Sequence, residues 1–509
     1  MDYLQQTAPP VRENRLNASN VFGGTCSQLS KGCKQGCLKN AERSFAQTQG
    51  CQLLLSLVML NTIRNSVIII HAPLGCGGSN LAFAGLARNF HKLRDPNAPG
   101  LIWLHTNLDD TDVITGGEAK LKKAILAADK EFHPEAIIVV NSCVPALIGD
   151  DVDNVISQLK GEVKAKLVMV HCEGFKTKIM ATAYDAVYHG LLRGLIVDGI
   201  VKPAPVPEAE EAGLKKKYRE NCQVNLMNVA SMSLFDEKEL TRLLSALGLK
   251  LRILPCYAHP ADFAKIGEAA LNISICATHD DYFLGHLQSK LGIPYLLRTI
   301  PVGIKNTSIW LKDIAAFFGL EAEAEKLVGT ETRELEQALA PYKKILHGKT
   351  AFLAGGEIRV LSTAELLIHL GMKVIGMKGY HFDEFAQGLL DELPEGDRTV
   401  FNVATGQPFE QANLLERLKP DIYVGHLGGN AWAAKHGVPI FPIFGQTVNY
   451  MGYNGVFEIA RRLARTLRNP SFNRNLAANT RPPYREEWFR LDAFAHIRLT
   501  DEPVAVSQT

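Results

Sequence analysis

The sequence predicts an α/β fold: three Rossmann-like domains, each built on a parallel sheet. Three observations lead there. Strand-like apolar runs alternate with helical patterns of about ten to fifteen residues, which marks βαβ units. Several runs are apolar almost throughout, AIIVVNSC (Ala136 to Cys143) above all, as strands buried on both faces are. The alternation also recurs in three blocks across 509 residues, more than one core serves. A Pro- and Glu-rich stretch at 203–216 and a charged helical stretch from Glu321 to Gln337 separate the blocks. The expected division is an N-terminal arm over 1–44, α/β domains over 45–210, 211–345 and 346–480, and a C-terminal tail over 481–509.

Composition narrows the class. Hydrophobic residues make up 46% and charged residues 21%, ordinary for a globular protein. A net charge of +2 argues against a nucleic-acid-binding surface. No basic segment followed by an apolar one opens the chain, and no apolar run reaches the length of a membrane span. The chain reads as cytoplasmic. Its ten cysteines are then expected to be reduced, catalytic or metal-binding.

The first twenty or so residues are polar, with Pro9-Pro10, and read as a tail or a partner-wrapping arm. Cys26, Cys33 and Cys37 follow at a spacing that fits no zinc or ferredoxin template. Loosely packed thiols are the favoured reading, although Lys31, Lys34 and Lys39 could lower their pKa values.

The first block is organised around Gln49 to Asn80. It holds Cys51, the strand Ser66 to Ile70, and a turn in which Pro73, Gly75, Gly77 and Gly78 surround Cys76. A strand over Leu101 to Thr106 and a helix after Gly116-Gly117 come next. Ala136 to Cys143 is a strand that leads into Pro145 to Asp151. Lys166 to Phe175 repeats the design, a strand followed by His171-Cys172-Glu173-Gly174. Three strands thus each deliver a cysteine just past their end: Cys76, Cys143 and Cys172. In a parallel sheet those ends share one edge, where ligands bind. Three separate core thiols are the plain alternative.

In the second block VNLMNV, KLRILPC, LNISIC and IPYLLR read as strands; EKELTRLLSALG, DFAKIGEAA and DYFLGHLQSKLG read as helices. Cys276 ends LNISIC. In the third, KTAFLAGGEIR, MKVIGM, RTVFNV, PDIYVGH and VPIFPIF continue the alternation. No P-loop occurs, so the chain should not bind ATP through one. No dinucleotide fingerprint follows a strand, and no histidine pair has helical metal-ligand spacing. The chemistry left is sulfur, from Cys51, Cys76, Cys143 and Cys276, and thiolates at strand ends suit iron–sulfur clusters.

QGC, HAPLGCG, NSCVPALIGDD, CEGF, SICATHDDYFLGHLQSKLGIP, AGGEIR and MGYNG, in that order between about Thr48 and Arg465, resemble the nitrogenase component 1 superfamily, in particular its α-type subunits. The resemblance implies a metal cluster in the cleft between the three domains. It implies that Cys51, Cys76 and Cys143 are the α-subunit ligands of a P-cluster-type (8Fe-7S) cluster shared with a homologous β-type subunit in an α2β2 heterotetramer. Cys276 would hold the terminal iron of a large iron–sulfur–carbide cofactor (8Fe-9S-C type or FeMo-co-like), with Gly355, Gly356 and Arg359 in the loop that donates hydrogen bonds to its sulfurs. Electrons would come from a homodimeric 4Fe-4S ATPase reductase to a small-molecule substrate.

Two departures bear on the reaction. Gly437 to Gly455 contains no histidine where dinitrogen-reducing α-subunits have one, and the family's glutamine and histidine after CEGF are missing. His426 is the favoured replacement ligand and His381 the second candidate; both follow strands of the third block. The chain looks most like the large catalytic subunit of methylthio-alkane reductase, which cleaves C–S bonds in small thioethers. A non-catalytic scaffold for cofactor assembly and a true nitrogenase α-subunit are the alternatives. A tetrapyrrole reductase is disfavoured, because those proteins have no ligand of the Cys276 type.

Overall fold

Val67, Ile68, Ile69 and Ile70 are all buried, yet they serve two different cores. Val67 and Ile69 pack with Leu121 and Ile125 of the helix Glu118–Phe132, and Ile68 and Ile70 pack with Leu57 and Leu60 of the helix Gln52–Leu60. Successive strand residues point to opposite faces, so a strand apolar at every position needs a helix on each side. That strand is β1 (Ser66–His71). With β2 (Ile102–His105), β3 (Ala136–Asn141) and β4 (Lys166–His171) it forms a parallel sheet in the order β2-β1-β3-β4. The chain is seen in a computed structural model that describes residues 3–47, 51–78, 81–196, 221–297, 300–481 and 484–499. The Pro- and Glu-rich stretch at 203–216 and the last ten residues lie outside the described residues.

The second sheet contains β5 (Gln223–Met227), β6 (Lys250–Leu254), β7 (Leu271–Ser274) and β8 (Tyr295–Leu296), parallel in the order β8-β7-β5-β6. Here two expectations change. IPYLLR contributes only a two-residue strand, and DFAKIGEAA forms a 3-10 helix over Pro260–Glu268. Its carbonyls find partners outside the helix: Ile266 accepts from the Asn225 amide and Lys265 from Arg252.

The third sheet contains β9 (Thr350–Gly355), β10 (Lys373–Gly379), β11 (Val400–Ala404), β12 (Ile422–Gly425) and β13 (Ile440–Pro442), parallel in the order β13-β12-β9-β10-β11. Leu226 and Ile273 share one core with Leu353 and Val424, so the second and third sheets bury apolar surface jointly.

The chain ends are tied in more firmly than their polarity suggests. Val21–Thr25 pairs antiparallel with β11, and Ile497–Leu499 pairs antiparallel with Ala41–Arg43. Arg12 is fully buried and ion-pairs with Asp185 at 2.9 Å, Asp383 at 3.3 Å and Asp281 at 3.5 Å. Those carboxylates belong to the first, third and second blocks, so one guanidinium fastens the arm to all three. Among the described residues no helix is long and apolar enough to cross a membrane.

Candidate metal-cluster sites

The first sheet places three thiols at the carboxyl ends of its strands. Cys76 sits in a short helix, Leu74–Gly78, just past β1. Cys143 opens the helix Cys143–Ile148 just past β3, and Cys51 is the residue before the helix Gln52–Leu60. Gly174 lies just past β4 between two of them: a Cβ there would lie 3.6 Å from Cys51 Sγ and 3.9 Å from Cys143 Sγ. Burial raises the Cys76 pKa, the nearby Cys143 and Cys51 sulfurs raise it further, and a hydrogen bond with Ser142 works against both. Thiols this close oppose each other's ionisation, and a bound cation would remove the opposition.

Cys51 is exposed, and Cys76 and Cys143 are half-buried. The strand-end loops that carry Cys76, Cys143 and Gly174 also carry exposed apolar side chains: Leu74 (64% exposed), Leu147 (68%) and Phe175 (51%). Open thiols beside exposed apolar side chains make a surface of the kind that protein interfaces cover. Cys172, the other strand-end thiol, is not part of it. It is buried and donates to the Asn141 carbonyl at 3.2 Å; burial and the adjacent Glu173 push its pKa far up. Cys172 is a core thiol.

Of the N-terminal thiols, Cys37 is exposed, but Cys26 and Cys33 are buried rather than loosely packed. Burial pushes Cys26 up to about 12 and Cys33 up to about 11. Lys34 pairs with Asp391 and only partly offsets the rise at Cys33, and Lys39 donates to the Glu13 carbonyl.

A cavity of about 410 Å³ lies where the second and third sheets end against the helix Gln52–Leu60. Cys276, Gly356, Arg359 and His426 line it on one side, and Leu54, Leu55, Val58 and Met180 supply apolar surface. Three helices begin at its wall. Cys276 precedes Ala277–Leu291 after β7, Gly356 precedes Glu357–His369 after β9, and His426 precedes Leu427–Lys435 after β12. None of the three starts has a side-chain cap. Uncapped first-turn N–H groups carry the positive end of the helix dipole. Arg359 adds a full charge; its guanidinium lies 4.8 Å over the Phe444 ring, and no carboxylate pairs with it among the described residues. These groups are electropositive and suit an anion, while Glu357, also in the wall, faces His381.

Each donor has a state set by this setting. Burial pushes the Cys276 thiol up to about 12, against the pull of Arg359. Left alone it stays protonated; a bound metal would take the proton's place. Burial and Arg359 hold His426 down to about 3, so its imidazole is neutral, the form that ligates metals. A Cβ on Gly356 would meet nothing within 4 Å, whereas one on Gly355 would touch Ile443 at 3.4 Å. Gly356 thus leaves room beside the cavity, while Gly355 is a packing residue. His381, the second ligand candidate, is committed elsewhere: its Nε2 lies 3.0 Å from Glu357 Oε1 and 3.4 Å from Asp383 Oδ2.

Cys276, His426, Arg359 and an open glycine around one cavity fit a large anionic iron–sulfur group, and Cys51, Cys76 and Cys143 fit a cluster completed from outside. Sequence reasoning missed Tyr184, Glu357 and Lys378, which also line the cavity. Tyr184 packs against His279 with ring centroids 3.5 Å apart and the rings tilted by 37°. Lys378 is buried, which lowers it to about 8, and its ammonium donates to the Gly406 carbonyl and Gln411 Oε1. A lysine at the end of an otherwise buried parallel strand was the available signal, since that edge is where ligands bind.

Comparison with known proteins gives the family. The chain matches the family model of nitrogenase component 1 type oxidoreductases over residues 51–468. It is 26% identical over 511 residues to the nitrogenase molybdenum-iron protein alpha chain of Methanosarcina barkeri, covering 89% of each chain. It is 27% identical over 452 residues to the nitrogenase iron-molybdenum cofactor biosynthesis protein NifE of Rippkaea orientalis, covering 86% of this chain and 89% of that one. The solved structure of nitrogenase Cp1 at pH 5 superposes with a TM-score of 0.69 at 21% identity, over 87% of this chain and 93% of that chain, and shares its fold. The chain belongs to the nitrogenase component 1 type oxidoreductase family.

Proposed function

We propose that this chain is the cofactor-bearing subunit of a nitrogenase-type reductase that cleaves C–S bonds in small thioethers. The cavity carries the proposal. A thiol, an imidazole, a guanidinium and three uncapped helix starts form its electropositive wall, and Leu54, Leu55, Val58 and Met180 give it apolar surface. Cys276 and His426 would hold an iron–sulfur–carbide cofactor, with Gly356 and Arg359 beside its sulfurs. That group, when bound, supplies the multi-electron reduction.

The chain's own residues bind and position. The leucines, Val58 and Met180 exclude water and accept the alkyl arms of a thioether, a substrate with no charge to pair. Arg359 and the helix starts stabilise negative charge during reduction. Cys51, Cys76 and Cys143 would share an 8Fe-7S cluster with a homologous β-type subunit in an α2β2 assembly, and a 4Fe-4S ATPase would feed it electrons. The chain has no phosphate cradle for ATP of its own.

A second reading is an assembly scaffold, favoured by relatives that are named as cofactor biosynthesis proteins. One experiment separates the two. The complex, purified without oxygen together with its partner subunit, is given the ATPase reductase, ATP and dimethyl sulfide. Methane and methanethiol in equal amounts support the reductase. A cofactor-loaded complex that forms neither, and passes its iron to a cofactor-free acceptor, is a scaffold.

A further inference from the structure

Beside the proposed cofactor residues, the cavity wall carries His381 against two carboxylates. Its Nε2 lies 3.0 Å from Glu357 Oε1 and 3.4 Å from Asp383 Oδ2. Both carboxylates are buried, at 1% and 0% exposure. Thr278 Oγ1 stands 2.7 Å from Glu357 Oε1 and 3.0 Å from Asp383 Oδ2, but a hydroxyl has one proton and satisfies one of them. Arg12 also reaches Asp383, yet it and Arg15 pair with Asp185 and Asp281 as well. Two guanidinium charges are thereby matched by two carboxylates. Glu357 and Asp383 remain, and His381 is the group placed between them. Glu357 Oε2 has no hydrogen-bond partner among the described residues.

We propose that His381, held as an imidazolium by Glu357 and Asp383, donates a proton to substrate bound in this cavity. The inference rests on the reductase reading above. Reductive cleavage of a thioether takes up two electrons, from the iron–sulfur group, and two protons, and releases a thiol and an alkane. In the step assigned to His381 an imidazolium N–H bond breaks and an S–H or C–H bond forms at the cleaved substrate. Water then returns a proton to the ring.

Burial alone would lower the His381 pKa, but the Glu357 and Asp383 carboxylates facing its Nε2 raise it to about 9. The groups facing it are Glu357 from the helix that follows β9, Asp383 from its own loop, Arg12 from the arm and Thr278 from the helix after Cys276; Arg359 and Cys276 share the cavity. With a neutral histidine Glu357 and Asp383 would have only the charge of Arg12, which Asp185 and Asp281 also share, so the charged form is the resting one near neutrality.

The test uses the loaded complex and His381→Gln, which keeps size and hydrogen bonding but carries no titrating proton. Iron content and the cofactor's electron paramagnetic resonance signal should match the parent, while thioether turnover falls about 100-fold. Melting temperature gives a second readout. An imidazolium stabilised up to about 9 contributes most below the unfolded value of 6.5 and is lost as pH rises through about 9. The parent should lose stability across that window relative to His381→Gln, whose curve lacks this component. Undiminished turnover in the variant, with the parent active, overturns the donor role alone. A parent complex without turnover overturns the reductase reading, and the donor role with it. One divalent cation per chain beyond the clusters, lost in His381→Gln, would assign the triad to a metal and overturn the proposal.

Discussion

Cys51 and Cys143 meet across Gly174: a Cβ at that glycine would lie 3.6 Å from one sulfur, 3.9 Å from the other and 2.9 Å from Cys51 Cβ. The last distance is closer than carbon atoms pack, so a side chain there must displace Cys51. Gly174→Val should disrupt the half-site while leaving the sheet intact. Iron at this site should fall at least about tenfold, with a stability loss of about 1–3 kcal/mol from overpacking. Iron analysis and thermal melting check it; a variant with full iron would place the cluster elsewhere.

Phe175 is the exposed aromatic residue next to that glycine, at 51% exposure. If the half-site is completed by a second subunit, Phe175 should be an anchor of that contact. Phe175→Asp should weaken association by about 2 kcal/mol, roughly 30-fold. The circular dichroism spectrum of the separate chain should not change, because the side chain is half outside its own core. Analytical ultracentrifugation with the partner measures the effect.

Arg359 has no carboxylate partner among the described residues and is 8% exposed. A buried cation without a counter-ion is costly. Arg359→Met should therefore leave the cofactor-free chain as stable as before, or more stable by about 1–2 kcal/mol. The same change should lower cofactor retention at least about tenfold. Melting of the cofactor-free chain and iron content of the loaded one give the two answers.

His171 provides a pH prediction away from the cavity. Burial disfavours its charge, but hydrogen bonds to Asp153 at 2.7 Å and Glu173 at 3.0 Å win and raise it to about 9. A raised value stabilises the fold below the unfolded 6.5 and loses that support as pH climbs through about 9. The loss should be about 3 kcal/mol. His171→Gln should melt with a flatter pH profile over the same range.

Much of the site was legible because its logic is local. Cys76, Cys143 and Cys276 follow apolar strands, and a ligand edge is where parallel strands end. Short-range periodicity revealed those strands, and β1, β3 and β7 begin where the alternation put them. The Arg12 cluster was not legible. Its partners are 173, 269 and 371 residues away, and no local pattern distinguishes a buried arginine from a solvated one in a polar arm. Cys172 misled for a related reason. It shares the strand-end position of Cys76, and only the fold turns its sulfur onto the Asn141 carbonyl. His381 and His426 looked alike as histidines after strands. Their environments differ: two carboxylates hold one, and burial together with Arg359 depresses the other.

Cys276 tests the account most directly, since the cavity reading needs it and the half-site does not. Iron and acid-labile sulfide are measured per complex, without oxygen, for the parent and for Cys276→Ala. The variant should lose the large cofactor's iron and its paramagnetic signal, keep the iron associated with Cys51, Cys76 and Cys143, and remain assembled with its partner. A variant that retains the parent's full iron and sulfide would make Cys276 an ordinary buried thiol and contradict the account.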